Sequence, residues 1–420
     1  MHGKTALRLA LILAIALGLA VTGCKKKGDK DKKAEQDRTS KVSVKVGKKK
    51  DKALKKAKKA LKKLKKDLKK LKEGEKPEFT GDEYKAAFLA LASCKFKDNH
   101  SYDYKCPAYL ALQNLRKEKK PFKTFYKWQA EKAPKWLGHE SPVVRYHAAG
   151  LLSSAWAGGV KRDNIAVIIA AGEKEKSPPV LKYMLDVIDS SQAKDPRVGA
   201  FIVKHTEHEH ELVRQQAVWS LAAWGQRTKG AVDAMLRVIK KDKSMKVRKS
   251  ACEGAGKLED EKVLPLLTKL TLSKKTDPEL YTECFKGVIN MWTQFPFPPK
   301  KPSKKAYKLT LQLLKQKPRS EKRPPWTISS MFYDLKKEDK DFQKWHATAK
   351  FYKKKELFEA FASVIKDSKA GWMIRTYLVD LCADMGAEKK FFKKLLNSYK
   401  GKEDKGSNSH VVRNLKKRAG

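Results

Sequence analysis

Acid is scarce in this 420-residue chain: 47 Asp and Glu stand against 96 Lys and Arg, a formal net charge of +49. A field of that sign disfavours basic partners and favours anionic ones, with fast and salt-sensitive association. Motifs that carry chemistry are missing as well. The sequence holds no Gly-x-Ser-x-Gly, no P-loop, no dinucleotide fingerprint and no paired-carboxylate motif. It therefore implies no enzyme, no cofactor and no small-molecule substrate. The six cysteines form no Cys-x-x-Cys pair, which leaves zinc-ribbon and thioredoxin-type sites without support. Alternating strand patterns are nearly absent, which excludes a sheet-based fold. The apolar run Leu9 to Val21 is 13 residues long, short of the roughly 20 that a bilayer-spanning helix needs.

That run has another use. Lys4 and Arg8 give it a basic start, and the small residues Thr22 and Gly23 precede Cys24, the layout of an export signal. Val21-Thr22-Gly23-Cys24 resembles the lipobox of bacterial lipoproteins. The resemblance implies cleavage after Gly23, diacylglycerol on the Cys24 thiol, and an acyl chain such as palmitate on the new amino group. Several chains anchor stably where one is marginal. An ordinary cut leaving Cys24 as a free thiol is the alternative. Lys25 follows where Asp would retain a lipoprotein at the inner membrane, so the expected location is the cell envelope, lipid-anchored at the outer membrane, on either face.

Residues 24–77 read as a Lys-rich tether. Between Lys25 and Lys76 stand 25 basic and 8 acidic side chains, and Lys25 to Val46 has too little apolar surface to fold. Within the tether, Leu54, Ala57, Leu61, Leu64, Leu68 and Leu71 repeat at 3-4 spacing among eleven Lys, an amphipathic heptad helix over 54–72. Three roles fit it: folding on lipid headgroups or another anionic surface, packing against another chain, or serving as a solvated spacer.

From Thr80 onward helix-period patterns alternate with short polar breaks. Thr80-Gly-Asp-Glu83 has capping-box form, Pro107 opens a second helix, and Pro121 a third. A repeat then appears. Its basic column is Arg145, Lys182, Arg214, Arg248, Arg375 and Arg413, with Tyr281 replacing the basic residue; the first intervals are 37, 32, 34 and 33 residues. The residue before each is apolar (Val144, Leu181, Val213, Val247, Leu280, Ile374, Val412). Three places on come Ala148, Leu185, Ala217, Ala251, Cys284 and Leu378. Ser177-Pro178, Asp195-Pro196 and Asp277-Pro278 supply N-caps, and Gly225 a helix end.

Val213-Arg214-x-x-Ala217 and Val247-Arg248-x-x-Ala251 resemble the second helix of HEAT repeats, including the HEAT-like repeats first grouped with phycobilisome lyases. The resemblance covers Ser141 to Trp292 well and Phe342 to Arg418 loosely. It implies an all-α fold, an α-solenoid of stacked antiparallel helix pairs, over 78–294 and, in degenerate form, 326–420. A Pro-rich interruption at 295–325 would act as a hinge or lid. In the family the column Arg pairs with an acidic loop residue; here Asp242 with Arg248 fits best. The column itself reads as a structural ladder or as a ligand-facing stripe.

Setting Cys24 aside, five cysteines remain. Cys94 and Cys106 flank a polar loop between two helical patterns, and a disulfide is expected there. Cys252, Cys284 and Cys382 read as buried small residues, with their pairing open. His205, His208 and His210 alternate with acids; a solvated loop is expected, with weak adventitious metal binding as the alternative. The tryptophans, Trp128, Trp219, Trp292 and Trp345 among them, read as core, as does the Phe342–Trp345–Ala349–Tyr352 face. The expected function is a scaffold that binds a protein partner. Charge-driven binding of an anionic polymer is the alternative, and an enzyme resembling HEAT-like alkylpurine DNA glycosylases is a third class that export argues against.

Overall fold

The computed structural model describes residues 76–97, 102–191, 195–224, 228–294, 297–317, 324–403 and 408–420. The lipobox with Gly23 and Cys24, the tether, the 54–72 helix and Gly225 lie outside the described residues.

Nineteen α-helices follow one another among the described residues. The first three are α1 (Gly81–Leu89), α2 (Pro107–Glu118) and α3 (Phe125–Trp136). The Thr80 capping box forms: the Glu83 amide donates to Thr80 Oγ1 at 3.1 Å and the Thr80 amide to Glu83 Oε2 at 2.8 Å. Pro121 does not open the third helix. It lies in β2 (Lys120–Pro121), paired in parallel with β1 (Glu78–Phe79), and α3 starts four residues later. Its missing N–H is harmless at the edge of a two-residue pair.

Then come the pairs: α4 (Pro142–Ala157); α5 (Ile165–Gly172) with α6 (Pro178–Ser191); α7 (Pro196–His205) with α8 (Glu211–Trp224); α9 (Ala231–Lys241) with α10 (Met245–Ala255); α11 (Leu264–Leu272) with α12 (Pro278–Asn290). Each second helix packs on its own first helix and on the next second helix, giving the row α4–α6–α8–α10–α12. Proline at the first helical position and Asp caps start several of them; Asp277 accepts from the amides of Glu279 and Leu280 at 2.9 and 3.0 Å. The apolar column residues Val144, Leu181, Val213, Val247 and Leu280 are all buried, as are Ala148, Leu185, Ala217, Ala251 and Cys284.

The Pro-rich stretch is not a plain break. Helix α13 (Lys304–Lys315) lies inside it, capped by Ser303 and packed on α12. The short α14 (Trp326–Ser330) contacts α12 and α17 (Trp372–Asp384), so the row of second helices continues through it. Helix α15 (Lys340–Thr348) is an insertion. Then α16 (Lys354–Ile365) pairs with α17, and α18 (Lys389–Asn397) with α19 (Asn408–Ala419). The insertion is sealed by aromatics: Trp345 Nε1 donates to the Trp292 carbonyl at 2.6 Å and Trp292 Nε1 to Thr310 at 2.9 Å, all buried. Phe342, Ala349 and Tyr352 are buried with them. Trp219 departs from the core expectation; it is 49% exposed on α8.

Where α10 meets α12, backbone lies against backbone. A Cβ on Gly256 would stand 1.9 Å from the Gly287 carbonyl oxygen, and one on Gly287 would stand 2.2 Å from that of Cys252. Backbone cannot yield as a flexible side chain does, so each glycine is required for space. Gly287→Ala and Gly256→Ala are each expected to destabilise by about 1–3 kcal/mol or more. Gly138→Ala, where nothing lies within 4 Å, is expected to be neutral or to stabilise by up to about 1 kcal/mol. Urea unfolding of the three variants checks both.

Candidate functional site

The basic column is where repeat chemistry concentrates. Arg145 Nε and Nη2 donate to the two Glu175 oxygens at 2.7 and 2.8 Å, while Nη1 donates to the carbonyls of His139 and Glu140, both at 2.8 Å. Arg214 repeats this with Asp242 at 2.7 and 3.0 Å and with the His208 and Glu209 carbonyls at 2.9 and 2.8 Å. Each guanidinium thus ties the loop before its own helix to the matching loop one unit later, a planar fork that a lysine cannot reproduce. Asp242 therefore belongs to Arg214. Arg248 instead donates from Nε to the Ile239 carbonyl at 2.9 Å. The acid comes from the next unit in the stack, whereas sequence proximity favoured the neighbour six residues away.

Arg375 is buried and donates to Asn408 Oδ1 at 2.8 Å, an amide standing where Arg145 and Arg214 have acids. Arg413, in the terminal helix, is exposed, and Lys182 is partly buried. A signal for the clamps was present. Glu175 and Asp242 each stand two residues before a Ser and accept its amide, at 2.7 and 2.8 Å.

The His-rich loop shares that geometry. His208 stands two residues before His210 and accepts its amide on Nδ1 at 3.0 Å; His210 Nδ1 accepts from Leu212 at 3.3 Å. His205 is buried, its Nδ1 2.7 Å from the Phe201 carbonyl. Burial holds His205 and His208 below the usual imidazole range. Among the described residues no three His, Cys, Asp or Glu side chains are placed to hold a metal.

Cys94 and Cys106 are bonded, with Cα atoms 5.8 Å apart. Cys252 and Cys284, expected as buried small residues with their pairing open, are bonded as well, Cα to Cα 4.5 Å. The glycine-mediated approach of α10 to α12 brings the two helices close enough. Cys382 is free and buried, and burial raises its thiol far above the ordinary range.

At the N-terminal end of the array α2, α3, α4 and α6 enclose a cleft of about 350 Å³. Aromatic rings wall it. Tyr146 and Tyr183 stack at 4.1 Å between centroids, Tyr109 lies 5.6 Å from Tyr104, and Tyr126 packs on Gly158. Tyr104 and Tyr126 are 61% and 42% exposed at the mouth. Polar groups lie deeper. Gln129 is fully buried with its amide in hydrogen-bonding reach of the Tyr84 hydroxyl, and the buried His147 Nε2 meets no hydrogen-bond partner in the protein. Arg116, also on the lining, donates to the Tyr84 hydroxyl. Burial, with help from Arg116, holds His147 down to about 4. No sequence pattern marked this cleft, whose residues come from separate elements.

Residues 199–280 match a family model described as HEAT repeats. Over those residues the chain carries HEAT repeats. No curated protein matches the chain. Among solved structures, the crystal structure of an engineered protein is 14% identical, covering 80% of this chain and 87% of its own, at a TM-score of 0.36. Human deoxyhypusine hydroxylase in complex with glycerol is 12% identical over 70% of this chain and 95% of its own, at 0.28. A second engineered protein is 17% identical over 69% and 97%, at 0.24.

Two outcomes follow for the HEAT units. Arg214 and Asp242 side chains are 6% and 4% exposed, so Arg214→Ala, which strands a buried carboxylate, is expected to cost about 3–5 kcal/mol. Arg197→Ala, at an exposed pair, should cost under about 1 kcal/mol; chemical denaturation of both variants decides. His147 has a lower pKa folded than unfolded, so below pH of about 6.5 the unfolded chain takes up a proton that the folded one refuses. Stability therefore falls as pH drops from there towards 4. His147→Gln should flatten that part of a stability–pH profile.

Proposed function

We propose that the protein is a lipid-anchored scaffold of the cell envelope that binds a protein partner along its helical array and performs no catalysis. The observation that carries this is the continuous row of second helices, tied unit to unit by the Arg145 and Arg214 clamps. A stack of this kind offers one extended, stiff surface suited to large partners. The exposed Trp219 lies on that row, and tryptophan is the side chain most often found at the energetic centre of an interface. Export is supported by Val21-Thr22-Gly23-Cys24 and by two disulfides, which persist in oxidising compartments. Among the described residues no helix is long and apolar enough to cross a membrane.

A second reading, binding of an anionic polymer, is favoured by the C-terminal pair of helices. Lys389, Lys393 and Lys394 of α18 and Arg413, Lys416 and Lys417 of α19 are exposed there. The two readings part on salt. Crosslinking of the envelope-purified protein with mass spectrometry should recover a protein partner bonded to the second helices, and a mature N-terminus at an acylated Cys24. Retention on heparin that falls steeply between about 50 and 200 mM salt, with no protein crosslinked, would favour the polymer instead. A chain retaining Met1–Gly23 without lipid would overturn the envelope location.

A further inference from the structure

We infer that the C-terminal end of the array docks on an anionic lipid bilayer, with the exposed face of α19 on the headgroups and Trp372 and Met373 entering the interface. Such docking needs neither a protein on the row of second helices nor an acyl chain on Cys24. It can therefore fail while the scaffold reading stands.

Positive charge is concentrated at this end. From Glu388 to Gly420 the sequence has eleven basic and three acidic side chains. Helix α19 contains no acid, and His410, Arg413 and Lys417, spaced three and four residues apart, lie exposed on one of its faces. Lys416 is exposed beside them. Asp380 of the neighbouring α17 is engaged by Arg418 at 2.8 Å.

Apolar side chains stand at the head of that face. Trp372 and Met373 open α17 and are 41% and 53% exposed. The Trp372 ring stacks on His410 with 4.9 Å between centroids, which sets it beside the first turn of α19. A bilayer uses both halves of this arrangement. Headgroup phosphates meet the cations, and an indole, apolar in its body with one N–H, suits the boundary between headgroups and acyl chains. Buried apolar area and attraction to anionic lipid add in docking of this kind. A polyanion in solution would use the cations and leave Met373 in water. A protein interface is depleted in lysine at its core, whereas here cations adjoin the apolar pair.

The test uses the mature chain with Cys24→Ser, so that no acyl chain contributes. It is mixed with vesicles of phosphatidylglycerol and phosphatidylethanolamine in equal parts, whose brominated acyl chains quench tryptophan on contact. All nine tryptophans lie at or beyond Trp128, so quenching reports the helical array and not the Lys-rich segment 24–77. Trp372→Phe should remove most of the quenching at an unchanged melting temperature. Met373→Gln should reduce it, and Arg413→Gln with Lys416→Gln and Lys417→Gln should cut it severalfold. Vesicles of phosphatidylcholine alone, or salt raised from about 0.1 to about 0.5 M, should do the same. No quenching, quenching that survives Trp372→Phe, or quenching indifferent to the three charge changes would each overturn the proposal. A fluorescence change that depends on Trp372 and follows heparin or single-stranded DNA but not vesicles would overturn it too, in favour of a soluble polyanion.

Discussion

Every second helix in this array has to bury two faces at once, one against its own first helix and one against the next unit's second helix. That double demand is met by making the contact column small. Ala148, Ala217, Ala251 and Cys284 are fully buried along the row, and where α10 meets α12 the column shrinks to Gly256 and Gly287, with backbone touching backbone. Small side chains let helix axes approach; the longer Val, Leu and Ile of the adjoining columns then fill the space between layers. No pair covers its own apolar surface, so each unit is stable only through its neighbours.

Apolar burial is not directional, and it leaves the loops free to slide along the stack. The guanidinium clamps remove that freedom. Arg145 and Arg214 each hold one carboxylate and two carbonyls, joining two loops about thirty residues apart in sequence. Burying such a pair is costly unless its geometry is satisfied, which makes wrong registers more expensive than the right one. The clamp is not repeated at every step: Lys182, Arg248 and Tyr281 stand in the same column without the same fork. The stack therefore tolerates local loss of register control where helix packing is tight, as at α10 and α12 with their Cys252–Cys284 bond.

The repeat was legible because its information is local. A column of Val-Arg-x-x-Ala reports buried face and period, and Pro or Asp ahead of several second helices reports their start, all from a dozen residues; residues 199–280 match the HEAT model. What involved the next unit was not legible. Asp242 was paired with Arg248 because the two are close in sequence, whereas the stack brings it to Arg214. Cys252 and Cys284 sit in adjacent columns, and only the glycine contact brings their helices close enough to bond. Pro121 looked like a helix start because the β1–β2 pair that claims it spans more than forty residues. The cleft left no trace at all, since its tyrosines are scattered over four elements and each alone resembles core.

The end of the array explains why space is left there. In the middle, each helix meets a copy of the same Ala and Val columns, and the surfaces interdigitate. Helix α4 has no preceding unit of that kind; α1 to α3 cover it with rings instead, Phe88 on Trp136 and Phe125 against Tyr84 among them. Rings with hydroxyls cannot follow the contour of an Ala-rich helix as Val does, and the seam between the two textures carries Tyr146, His147 and Gln129. On the row itself Ala148 and Ala149 of the same helix close up completely. A cavity is thus the physical result of capping a regular stack with an irregular aromatic layer.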